Sequence, residues 1–217
     1  MCFALKMLWR SRVWSALYLL SLAFAAPARA EFRDCTTPEF ASAMVSKPEF
    51  ICESIRELSV EAFGRKVRMR TLRWKGDDTG LPYEPLVIEA AETTLAWLEG
   101  YRETYGLKVQ DLTFVFANVA LTDPTNPFAS ALGADPDECV IQLYVAVADT
   151  KSAGDVLQGF RNSIAHEVFH CIQGATWPAQ ANLDEKTRLW WLEGTAQFIA
   201  HWIYPSPKDL ELRAKGF

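Results

Sequence analysis

The sequence predicts an α+β fold, a small sheet backed by helices. Two observations carry that prediction. Residues 66–74, 112–117 and 139–148 are rich in β-formers at strand length, the first of them alternating basic and apolar side chains. Residues 86–101, 155–174 and 188–204 instead space their apolar residues three and four apart, which is the period of a helix buried on one side. Strand and helix segments are mixed along the chain, with no internal repeat and no low-complexity tract.

The chain opens with an address. Lys6, Arg10 and Arg12 precede an apolar run over residues 13–26, and Pro27 leads into Ala28-Arg29-Ala30, a small-x-small pattern. That order is the one found in a secretory signal peptide, with cleavage expected after Ala30. The run is shorter than the ~20 residues a spanning helix needs, so no stable membrane insertion is expected after cleavage. Residues 1–30 contain four basic and no acidic residues, which leaves 18 basic and 27 acidic groups in the remainder, a net of -9. An acidic body of this kind excludes general nucleic-acid binding. Export also changes how cysteine reads. Without Cys2 four remain, and the expected pairs are Cys35–Cys52 and Cys139–Cys171, each joining neighbouring elements in an oxidising compartment.

Taken in order, residues 36–63 predict two short helices, each with a Pro near its first turn (Pro38, Pro48), and Ile51, Ile55, Leu58 and Phe63 supply a candidate apolar stripe. Residues 66–74 read as a half-buried strand and residues 76–85 as a turn-rich break. A helix follows from Leu86, with Ile88, Ala91, Leu95 and Leu98 on one side, and Gly106 is expected to close it. Residues 112–117 read as a strand buried on both faces, residues 119–138 as a loop, and residues 139–148 as a strand. The helix over residues 155–174 carries Leu157, Phe160, Ile164, Val168 and Ile172 on its apolar side, and the last helix ends at Pro205 and Pro207. Three regions result: residues 1–30 as signal peptide, 31–80 as an N-terminal segment of open role, and 81–217 as the domain that carries the chemistry.

That chemistry begins at His166-Glu167-Val168-Phe169-His170. Two His four apart on a helix lie one above the other and can hold one ion, while Glu167 sits beside the first of them. Composition gives such a pattern by accident about 0.002 times per chain. A catalytic zinc site usually takes a third protein ligand and leaves one position open. The metzincin continuation fails, because Gln173 and Thr176 stand where Gly and His are required. A carboxylate on a second helix is the other common solution, and Trp190-Trp191-Leu192-Glu193-Gly194-Thr195-Ala196 offers Glu193. Asp184 and Glu185 are nearer in sequence but fall in a polar connection. An apolar helix gives Glu193 a reason to seek a cation, since burying a carboxylate unpaired is costly.

These two motifs resemble those of the gluzincin metallopeptidases, and most nearly the peptidase-MA-like group, over about residues 86–204. The resemblance implies a zincin-like fold, a small sheet whose edge strand packs on the His-Glu-x-x-His helix, followed by a glutamate-bearing helix. It implies one Zn2+ held by His166, His170 and Glu193, with Glu167 as general base. It implies a peptide or protein substrate, paired to the strand at 139–148 if that strand is the edge. Two departures stand out. Gln197 occupies the place where thermolysin-like members carry Asp, four residues after the Glu ligand. Relatives also continue into a helical subdomain that supplies a Tyr or His to the transition state. The 24 residues after Glu193 lead to the expectation of a domain without it, with Tyr204 and His201 as the remaining candidates. The function expected is an exported, periplasmic or secreted zinc peptidase. The alternative is a zinc-stabilised binding or regulatory protein without turnover.

Overall fold

The computed structural model describes residues 33–34, 51–74, 76–117, 129–134, 137–144, 153–178 and 184–215. The expected signal peptide and the Cys35 half of one expected disulfide lie outside the described residues. All the described elements belong to one compact unit, residues 32–217.

A mixed sheet forms the platform. Its strands are β1 (Arg33–Asp34), β2 (Ile51–Ala62), β3 (Arg65–Trp74), β4 (Asp111–Ala117), β5 (Ala129–Ala134) and β6 (Glu138–Tyr144), in the spatial order β1-β2-β3-β4-β6-β5. β4 runs parallel to both β3 and β6, and the remaining pairs are antiparallel. The helices are α1 (Glu84–Glu99), the single turn α2 (Arg102–Tyr105), α3 (Ala153–Thr176), α4 (Glu185–Ile203) and α5 (Pro207–Ala214).

Residues 51–62 correct the expected helix. Ile51, Ile55 and Leu58 fit a helical period, but Leu58, Val60 and Ala62 fit a strand equally well, and the pairing with β3 decides between them. Phe63 and Gly64 form the two-residue connection, with φ of 56° and 69°. Positive φ at both positions is the turn that matches the twist of an antiparallel pair. The amide of Phe63 donates to the Glu99 carboxylate, which anchors the hairpin to the end of α1.

Two further boundaries differ from expectation. Gly106, left-handed at φ 62°, closes α2, whereas α1 ends six residues earlier at Gly100. The loop expected over residues 119–138 contains β5, so the edge strand is β5, and β6 lies inside the sheet. The sequence of β5, Ala-Ser-Ala-Leu-Gly-Ala, lacks the β-branched and aromatic residues that mark a strand. β6 is buried along nearly its whole length because β4 and β5 flank it.

Alternation along the strands splits the core in two. Met69, Leu112, Phe114, Ile141 and Leu143 face the helices and meet Val87, Leu95, Phe160, Ile164, Val168 and Ile172. Cys52, Leu72 and Val115 lie on the other face with Trp74 and Val140. Buried charge is paired: Glu84 accepts from Arg56 Nε at 2.9 Å and from Thr71 Oγ1 at 3.3 Å. Cys139 and Cys171 form the expected disulfide, with Cα atoms 5.7 Å apart, and so join β6 to α3. By loop-closure entropy such a link contributes roughly 3–4 kcal/mol. Cys52 is also disulfide-bonded, to a partner outside the described residues.

Candidate metal centre

α3 is the scaffold of the site. Phe160, Ile164, Val168 and Ile172 bury one stripe against the sheet, and β5 and α1 pack on the same helix. His166, His170 and Gln173 continue a second stripe, spaced four and three, that faces α4. α4 starts at Asp184, whose carboxylate accepts from the Thr187 amide at 3.1 Å. The Thr187 side chain, and after it this amide, hold the Asp184 carboxyl below the usual carboxylate range, and the structure gives the residue this capping role. Ala196 and Ala200 are fully buried in α4, and their small size lets α4 lie close along α3.

The close approach brings Glu193 to the two imidazoles. His166 Nε2 lies 2.9 Å from His170 Nε2 and 3.2 Å from Glu193 Oε2. His170 Nε2 lies 3.5 Å from Glu193 Oε1. The three donor atoms fall within 4.8 Å of one another, the only such cluster among the described residues. These edges suit an ion bonded at ~2.0–2.2 Å in a tetrahedron. The tautomer agrees. His170 Nδ1 meets Gln173 Oε1 at 2.7 Å, so the proton of a neutral ring sits on Nδ1 and the Nε2 lone pair faces His166. The His170 lone pair and His166 Nε2, 2.9 Å apart, need a cation or a proton between them. The donor set, two imidazoles and a carboxylate, fits zinc with one position left open.

This is the gluzincin arrangement, a His-Glu-x-x-His helix crossed by a glutamate helix. No family model matches the chain, and no curated protein does either. The likeness therefore rests on the motif and the geometry.

The electrostatics follow from burial and crowding. Burial, and then the neighbouring His170, push His166 down to about 4. Burial works to lower His170 as well, but the Glu193 hydrogen bond, the Glu167 charge and the Gln173 hydrogen bond together raise it. Glu193 is held low by the hydrogen bond and charge of His170 in its protonated form, against partial burial. Glu167 is buried at 5 % exposure, next to His166 in the chain and near enough to act on His170.

The other sequence candidates fall in different places. Tyr204 donates its hydroxyl to Ala90 O of α1, at 3.5 Å. Burial raises its phenol. His201 lies outside the ligand cluster, although its charge reaches His166. Gln197 is exposed on α4. Sequence reasoning missed Gln173, noting it only as the residue that breaks the metzincin pattern. The available signal was its place three residues after His170, on the same helical stripe.

Proposed function

We propose that this protein is an exported zinc-dependent peptidase in which His166, His170 and Glu193 hold the ion and Glu167 is the general base. The observation that carries the reading is the convergence of the three donors beside a buried glutamate. Bound there, zinc supplies Lewis acidity, bringing the pKa of water toward ~7 and polarising a carbonyl. Glu167 takes a proton from the attacking water as its oxygen bonds to the carbonyl carbon. It returns that proton to the amide nitrogen as the C–N bond breaks. Burial keeps bulk water from competing for the Glu167 carboxylate, and the neutral form of His166 leaves its nitrogen free to hold the ion.

Substrate is proposed to bind as an extended peptide along β5, whose outer edge is unpaired among the described strands and which packs beside α3. Export rests on Lys6, Arg10, Arg12, the apolar run over residues 13–26 and Ala28-Arg29-Ala30. No helix among the described residues is long and apolar enough to cross a membrane.

One observation favours a second reading, a zinc-held binding protein without turnover. Tyr204, a candidate to steady the developing oxyanion, is engaged by α1. Glu167→Gln separates the two. Gln keeps the shape and can hold the zinc but cannot take the proton. In the peptidase, chelator-sensitive cleavage of an unfolded protein should fall at least ~100-fold with zinc retained. Two zinc-loaded and equally inactive proteins would establish the second reading. Undiminished, chelator-sensitive cleavage by the mutant would remove Glu167 from its role.

A further inference from the structure

We infer that Gln173 is the positioning residue of the metal centre, selecting which nitrogen of His170 faces the ion and locking α3 to α4 at the level of Glu193. The inference rests on His166, His170 and Glu193 being the metal ligands.

The orientation of the Gln173 amide follows from its partners. One end lies 3.2 Å from Leu192 O, a backbone carbonyl that only accepts, so that end is the NH2 group. The same nitrogen donates to Thr195 Oγ1 at 2.7 Å, and Thr195 in turn donates to Trp191 O at 2.6 Å. The opposite end is therefore the carbonyl, 2.7 Å from His170 Nδ1. A carbonyl at that point accepts the Nδ1 proton and leaves Nε2 as the ligand atom. No side-chain polar atom of Gln173 is left over, and the residue is only 1 % exposed. The low local dielectric there strengthens each bond.

The chain of contacts spans both halves of the donor set. Gln173 stands one turn beyond His170 on α3, and its acceptors Leu192 and Thr195 bracket Glu193 on α4. A ring that rotates about its Cβ–Cγ bond, or a slide of α4 along α3, breaks the same side chain's bonds. A partner that orients a ligating imidazole typically contributes roughly 10–100-fold in metal affinity.

The test uses zinc affinity by chelator competition and the His170 ring tautomer by long-range nitrogen–proton correlation on the zinc-free protein at pH 8.5. Gln173→Met keeps length and volume but cannot accept from Nδ1. Thr195→Val removes one helix-to-helix bond and leaves the His170 contact in place. Wild type should show the Nδ1–H tautomer, and Gln173→Met should lose it together with roughly 10–100-fold in zinc affinity. Thr195→Val should lower the melting temperature and lose clearly less zinc affinity than Gln173→Met, because the Leu192 bond still holds the amide against His170. A merely structural Gln173 would instead make the two variants equal in affinity. That result overturns the inference, as does an Nε2–H tautomer in wild type, which needs no variant to fold. If wild type itself takes no zinc, the ligand assignment fails. If wild type and Gln173→Met take it alike, only the role of Gln173 fails.

Discussion

At the scale of single residues the proposed site would set one metal ion against one proton. His166 is depressed to about 4 by burial and by His170, so it is neutral across the physiological range and costs the metal nothing to deprotonate. His170 is the opposite case, raised above 6.5 chiefly because Glu193 and Glu167 outweigh its burial. Glu193 is held low by His170 and stays ionised. Below the His170 pKa a proton must leave before the ion can bind, so zinc affinity falls as pH falls, by up to about tenfold per pH unit. Calorimetry near pH 6.5 in buffers of different ionisation heat should report release of at least about half a proton per zinc; no release would contradict the assignment of His170. Ligand deletion gives the second expectation at this scale. His170→Ala and Glu193→Ala should each lose the bound zinc on dialysis, and stoichiometric zinc in Glu193→Ala would place the third ligand elsewhere.

At the scale of elements, α4 carries two different faces. Glu193 points to α3. Trp191, Thr195, Phe198 and Trp202, nearly half a turn round, line an apolar cavity of about 370 Å³ with Trp97, Tyr101 and Trp177. Apolar residues on both sides explain why the helix was legible as a helix, while the direction of Glu193 was not fixed by its pattern alone. The bend before α1 shows how tightly the sheet side is packed. A Cβ on Gly80 would meet the Phe116 ring at 2.4 Å, and Phe116 is held on β4 at 2 % exposure. Gly80→Ala should therefore destabilise by roughly 1–3 kcal/mol, read from denaturant unfolding, because a rigid ring must move. A neutral outcome would mean that the segment from Gly76 to Gly80 yields instead. α4 ends at Ile203, before Pro205 and Pro207 as expected, and Pro207 also opens α5, as its fixed φ allows at a first turn.

At the scale of the whole molecule, the candidate metal cluster and the disulfide share one helix. Cys171 ties α3 to β6 one residue beyond His170, and the metal ligands tie α3 to α4. Zinc held by His166, His170 and Glu193 would need those elements assembled, so its binding would add to folding stability. At free zinc about 100 times the dissociation constant the gain is about 2.7 kcal/mol. For a chain of this size the melting temperature should rise by roughly 5–10 °C. Scanning calorimetry with zinc and with chelator measures it, and coincident transitions would show that the cluster holds no zinc.

The sequence by itself determined the donor motif on α3. His166, Glu167 and His170 lie within one helical turn or so, and their relative placement follows from hydrogen bonds four residues apart, which any sequence reader can count. The helix of Glu193 and the pairing of Cys139 with Cys171 were legible for a related reason, since each joins segments with strong local signals. Tertiary structure alone decided the rest. Residues 51–62 fit two periods, and only the hairpin with β3 made them a strand. β5 has weak propensity and exists as an edge because β6 offers it a ladder. Gln173 and Tyr204 are ordinary residues in the sequence; what each one bonds depends on a helix distant in the chain, α4 for the first and α1 for the second. Local geometry is written in neighbouring residues, whereas convergence across elements is set by how the whole core packs.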